Sequence, residues 1–339
     1  MKMLNARRLF ALAVGFCCWG LTQAVGQAPA PKVDAKAAPG AWKAPRLSDG
    51  RPDLQGYWSS NMASPLQRPA GAAEFLTDDE IRARTNGQGA PAPNNNGRPN
   101  PFPGNFGIAN AGSDVRYVTR RTSIITDPPD GKLPPMTPAG KQRWEEAQEH
   151  HRLHPHDGPE DLSTMERCIT WITSGPPILP TFYNNNHHII QTPENVMIMT
   201  EMVHDVRIIP VDGSPHTGVP QWKGDSVGHY EGDTLVVETI NFNGKRGFFE
   251  IAATEGGGEP RPDKRMKVTE RFTRLAPNVM RYQFTVDNPD IYSRPWSGEI
   301  EMHELQPPIL EYACLEGDQG MLLILKGARE DEKAAAGKR

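Results

Sequence analysis

From residue 183 to residue 316 the chain is a train of short strand-like segments separated by turn residues. Segments 187–191 and 196–201 flank Thr192-Pro193-Glu194-Asn195, a gap of hairpin size. Segment 205–211 stops at Asp212-Gly213, and Tyr230-Glu231-Gly232-Asp233 turns into 234–241. Segments 268–275 and 280–286 are joined by Ala276-Pro277-Asn278-Val279, and 296–305 and 310–316 close the set. A last apolar run covers 321–325. Consecutive strands with short turns pair antiparallel. Their number suits an up-and-down barrel or a sandwich. With 32 Gly and 33 Pro in 339 residues, turns are favoured over long helices.

The first half is less regular. Asp53-Leu54-Gln55-Gly56-Tyr57-Trp58 enters as a first strand, and 115–126 alternates well enough for another. Thr77 and Glu80 form a capping box, so a short helix through Arg84 follows. Residues 86–114, rich in Gly, Asn and Pro, read as a long surface loop. A second helix is predicted over 138–151, with Thr137 as N-cap and Pro138 in the first turn, and a third, short one over 161–171.

Compartment follows from the N-terminus. Lys2, Arg7 and Arg8 precede an apolar run, residues 9–21, and small residues follow it. That is the layout of a secretory signal peptide cleaved after Gly26, with an apolar run too short for a membrane span. The protein is therefore expected to be exported, periplasmic or extracellular. Cys17 and Cys18 leave with the leader, and Cys168 and Cys314 remain as an even pair in an oxidising space. One disulfide is the simplest pairing, and two separate buried thiols the alternative. The formal charge is −4 for the whole chain, and it grows more negative without the basic leader. That speaks against a nucleic-acid partner.

Domain limits follow: a signal peptide over 1–26, a mobile tail over 27–45, an irregular wrap over 46–182, a barrel over 183–329 and a tail over 330–339. Gly56-Tyr57-Trp58 resembles the Gly-x-Trp opening of lipocalin-type barrels, with Arg329 late in the chain. It turns the choice toward a mainly β fold built on an antiparallel, lipocalin-like barrel with two or three short helices. Residues 122–135 (TSIITDPPDGKLPP), 183–185 (YNN), 201–213 (EMVHDVRIIPVDG), 230–239 (YEGDTLVVET) and 311–316 (EYACLE) resemble a family of exported bacterial proteins without a described activity. Tyr230 stands where that pattern has Trp, and His187-His188 depart from it too. The resemblance implies no catalytic residue.

Glu201, His204 and Arg207 are the strongest candidates for chemistry. A turn near 202–205 would bring an acid, a base and a guanidinium together. The competing account is a solvated hairpin tip. Tyr183, Asn185, Trp222 and Trp296 are candidates to line a ligand pocket, although large aromatics are more often core. Glu238, Arg271, Glu299 and Glu311 fall in strands, and any that faced inward would be a site candidate. Gly224-Asp225-Ser226-Val227-Gly228 matches a nucleophile elbow in letters, but lacks the strand–turn–helix context and reads as a plain turn. His150, His151, His154 and His156 sit at a helix end broken by Pro155, so only weak metal affinity is expected and no metal site. No nucleotide fingerprint is present, and no cofactor is called for. The expected function is an exported barrel holding a small polar or amphipathic molecule, as a cofactor-independent lyase, isomerase or hydrolase. The other class is a non-catalytic periplasmic binding or envelope-associated protein.

Overall fold

The computed structural model describes residues 42–86, 117–181, 184–245, 265–305, 309–316 and 319–337. The expected leader, nearly all of the expected tail after it, almost all of 86–114, and Tyr183 lie outside the described residues. The described strands are β1 (Gly56–Ser59), β2 (Ile125–Asp127), β3 (Asn186–Gln191), β4 (Asn195–Thr200), β5 (Asp205–Pro210), β6 (Asp225–Glu231), β7 (Thr234–Ile240), β8 (Lys267–Ala276), β9 (Val279–Asp287) and β10 (Trp296–Glu304). Three helices accompany them: α1 (Asp78–Asn86), α2 (Pro138–Leu153) and α3 (Gly320–Ala336).

Alternation makes the wall. In β9, Met280, Tyr282, Phe284 and Val286 are buried, while Arg281, Gln283 and Thr285 between them are half-exposed. In β8, Val268, Glu270 and Phe272 share the inner face. Phe284 packs so closely over Gly298 of β10 that a Cβ there would collide with its ring. Trp58, Ile189, Ile198, Phe272, Tyr282, Trp296 and Met302 fill the interior together, each worth about 1.5–3 kcal/mol of burial.

The sheet runs β5-β4-β3-β1-β10-β9-β8-β7-β6, with β2 added to β10. Strands β3 to β5 and β6 to β10 each pair with their successors, β1 joins β3, and β10 returns to pair with β1, so the sheet is a nearly closed antiparallel barrel. Every pairing along the path is antiparallel. With nine strands on that path, its two ends, β5 and β6, must run in the same direction. This is the seam that carries no backbone ladder. Its connection, residues 211–224, has the crossover length that parallel neighbours require. Side chains bridge the seam instead: Lys223 Nζ donates to Val206 O at 2.9 Å and pairs with Asp205.

Both barrel ends are covered. At one, Arg46 pairs with Asp233 of the β6–β7 turn, and Arg51 donates to Thr192 O and Pro193 O of the β3–β4 turn. Arg274 lies over the Trp58 ring at 5.2 Å. Arg329, the cation noted late in the chain, instead binds the carbonyls of His156 and Asp157 on the far side of α2. At the other end, the buried stretch from Ile172 to Leu179 enters the lumen as a plug.

Several expected elements differ. Residues 115–126, expected as one strand, make only β2, because the facing segment carries Pro65 and Pro69 and scatters its bonds, such as Ile124 N to Pro65 O. Residues 161–171 begin helically, with Arg167 N on Ser163 O, but Cys168 takes φ 51° and ends the turn. Residues 310–316 form no strand, since β1 already has β3 and β10 on its two edges. They cross as a strap instead, and Cys168 and Cys314 stand at disulfide distance with Cα atoms 5.8 Å apart. The apolar run 321–325, read as a last apolar run after the strands, belongs to α3. The run continues into Ala, Glu, Lys and Arg, so one helix takes it and most of the expected tail. Ser226, expected in a plain turn, lies in β6.

Candidate functional site

The inner faces of β5 and β8 bring together the only fully enclosed ion pair among the described residues. Arg207 faces Ile198 and Glu270 faces Val237 and Phe284, both on the lumen side. Arg207 Nη1 and Nη2 donate to Glu270 Oε1 and Oε2 at 3.0 and 2.5 Å. Tyr282 Oη donates to Glu270 Oε1 at 2.8 Å and accepts from the plug's Ile178 N at 2.8 Å. Burial works against the Arg207 charge, and the adjacent Glu270 carboxylate more than offsets it, so the guanidinium stays protonated. Burial, reinforced by Glu270, pushes the Tyr282 hydroxyl well above its ordinary range, so it remains a donor.

Around this pair lies a rim of hydroxyls. Ser226 Oγ is 3.4 Å from Arg207 Nη2 across the seam and 2.8 Å from Thr239 Oγ1. Gly175, at φ 65°, lets the plug pass Arg207: a Cβ there would stand 3.2 Å from Nη1. Thr173 and Ser174 just before it are buried, and their hydroxyls have no hydrogen-bond partner among the described residues. The same holds for Arg207 Nε and Asp205 Oδ2. His187 lies on the same inner face. Ser60 Oγ donates to Asn185 O, so His187 Nε2–H donates to Ser60 Oγ at 3.1 Å, and Nδ1 accepts from Thr200 Oγ1 at 3.2 Å. Burial first, and Arg207 second, push the imidazole down to about 3, so it is neutral.

The sequence candidates are distributed as follows. The acid facing Arg207 is Glu270. Glu201 is buried at the end of β4, where Oε2 accepts from Asn186 Nδ2 at 2.5 Å and Oε1 from Leu310 N at 3.2 Å. His204 follows a tight turn in which Val203 and His204 both take positive φ. It is exposed, and its Nδ1–H donates to Tyr312 O at 3.2 Å. Glu201 and His204 therefore grip the strap, while Arg207 turns into the lumen. Asn185 clamps the entry to β3: Oδ1 accepts from Thr181 N at 2.6 Å and Nδ2 donates to Asn61 Oδ1 at 3.2 Å. Trp222 is half-buried beyond the seam with Arg167 over its ring at 5.9 Å, and Trp296 is core, edge-on to Phe284 and Tyr292. Of the charged strand positions, Glu238 pairs with Lys267, Arg271 with Glu231 and Glu299 with Arg121, all on the outer face, and Glu311 lies in the strap. His150 pairs with Asp161 and His154 with Asp157. Glu270 was legible all the same, since it falls between Val268 and Phe272 in the alternation.

No family model and no curated protein matches the chain. No helix among the described residues is long and apolar enough to cross a membrane.

Proposed function

We propose that the protein is an exported barrel that holds a small polar molecule at its plugged end, between Arg207, Asp205, Thr173 and Ser174, as a binding protein. The observation that carries this is the set of buried polar atoms on those four side chains that the fold leaves unpaired. They offer donors and acceptors around a guanidinium whose charge Glu270 already balances. Each orphaned atom costs about 1–3 kcal/mol until something pairs with it. A ligand reaches them when the plug shifts off Arg207.

Thermal melting and native mass spectrometry of the exported chain against small polar amides, acids and alcohols test this. One such molecule is expected to bind and to raise Tm. Thr173→Val with Ser174→Ala keeps the volume and removes two of the orphaned hydroxyls, so it should weaken binding at least tenfold with an unchanged fold. Binding unaffected by that pair of substitutions would refute the site.

A further inference from the structure

A second buried polar cluster lies on the outer face of the same sheet, on β1, β3 and β10. His303 of β10 stands opposite Ser59 of β1, and Ser59 opposite Asn186 of β3. The three side chains sit side by side on the outer wall, about 5 Å from strand to strand. Asn61 leaves the end of β1 with its N–H on Ser59 Oγ at 3.4 Å. Tyr117 N donates to Asn61 O at 2.8 Å, and the Tyr117 ring stacks on His303 at 3.8 Å and 14°. His303, Ser59, Asn61 and Asn186 are each no more than 2% exposed.

Three of these side chains carry unpaired atoms. Neither ring nitrogen of His303, nor Asn61 Nδ2, nor Asn186 Oδ1 has a hydrogen-bond partner among the described residues. The fold does not require an imidazole here, because a phenyl ring would stack on Tyr117 as well. Burial pushes His303 down to about 4, so at neutral pH the ring offers one donor and one acceptor. Asn61 adds a donor and Asn186 an acceptor. The charged groups flanking this face are Glu301, two positions along β10, Arg281 opposite it, and Glu201 beyond Asn186.

We propose that this cluster is a binding site for a small uncharged polyhydroxy compound, of the sugar or polyol class. A hydroxyl both donates and accepts, so neighbouring hydroxyls match the mixed set whichever imidazole nitrogen carries the proton. The atoms a ligand would pair with, on His303, Asn61 and Asn186, all belong to neutral groups, so a charged ligand would give up its hydration for contacts no stronger than a hydroxyl makes. The orphaned atoms are closed off from solvent, and the half-buried Tyr117 ring is the cover that must rotate off the imidazole to admit a ligand. The site is independent of the one at Arg207.

The test titrates the exported chain with D-glucose, myo-inositol and glycerol, and with gluconate as the charged counterpart, reading Tm and the imidazole ¹H–¹⁵N spectrum. At least one neutral probe should raise Tm and shift the His303 resonances saturably, and gluconate should do neither. His303→Phe keeps the stack and removes both orphaned nitrogens, so its Tm without probe should equal or exceed wild type while the probe response disappears. Asn61→Asp keeps the oxygen that serves Asn185, removes the orphaned donor, and should lose the response too. Ser174→Ala in the lumen should retain it, which separates failure here from failure at Arg207. No response to any neutral probe, as expected if water alone meets these atoms, overturns the proposal. So does an equal response to gluconate, or His303→Phe melting well below wild type.

Discussion

His187 and His303 are both buried strand histidines, one on each side of the same wall, and they are treated in opposite ways. His187 faces the lumen and has a hydroxyl on each nitrogen. His303 faces outward under Tyr117 and has neither nitrogen paired among the described residues. The charged groups differ too: the lumen holds Arg207 against Glu270, while the row of His303, Ser59 and Asn186 is itself neutral and is flanked by charge, with Asn186 donating to Glu201. An unpaired buried charge costs far more than an unpaired imidazole or amide. The lumen pairs its two facing charges and still leaves Arg207 Nε and Asp205 Oδ2 without partners among the described residues, while the orphans around His303 lie on neutral groups.

The largest effect should come from breaking the lumen pair. Arg207→Met or Glu270→Gln alone leaves a buried group without its partner and should destabilise by about 3–5 kcal/mol in urea melts. The double variant Arg207→Met/Glu270→Leu should recover most of that loss, because the desolvation cost goes with the charges. If the double falls as far as the singles, the pair is not what organises the lumen.

Acid should separate the two histidines. Both hold fewer protons folded than unfolded, so their contribution is complete above the ordinary value of 6.5 and is lost as pH falls. For His303 the loss runs from 6.5 down to about 4, and for His187 on to about 3. At about 1.4 kcal/mol per unit, His303 accounts for roughly 3 kcal/mol. His303→Phe should flatten the stability–pH curve over the upper part of that window and leave the lower part to His187. An unchanged curve in this variant would show that the wall imidazole is not buried neutral.

The smallest effect tests satisfaction in the lumen. Tyr282→Phe removes the hydroxyl between Ile178 N and Glu270, leaving the plug's amide unpaired, at about 1–2 kcal/mol. A loss below that would mean that the plug re-seats without it.

Much of the barrel was legible because alternation is local. The β8–β9 hairpin, the β3–β4 hairpin and the Thr77 and Thr137 caps depend on neighbours in sequence, and each lies where the residue pattern put it: Thr137 Oγ1 accepts from Gly140 N at 2.9 Å, and Thr77 exchanges bonds with Glu80. The pairing of Cys168 with Cys314 followed from there being no other cysteine after residue 18. The apolar run of α3, taken alone, suits a strand as well as a helix, and the Ala-, Glu-, Lys- and Arg-rich residues that follow decide for the helix.

The sequence by itself determined most of the strands and turns and which residues of each share a face, since backbone sterics and burial act over a few positions; β6, read as a turn, and 310–316, read as a strand, are the exceptions. Tertiary structure decided what those faces meet. Arg207 and Glu270 are 63 positions apart, and only closure of the barrel makes them partners. Strand number bears on it too: nine strands leave β5 and β6 running in the same direction, and no backbone ladder joins them among the described residues. That seam has to be closed by side chains, and Arg207 and Ser226 reach across it.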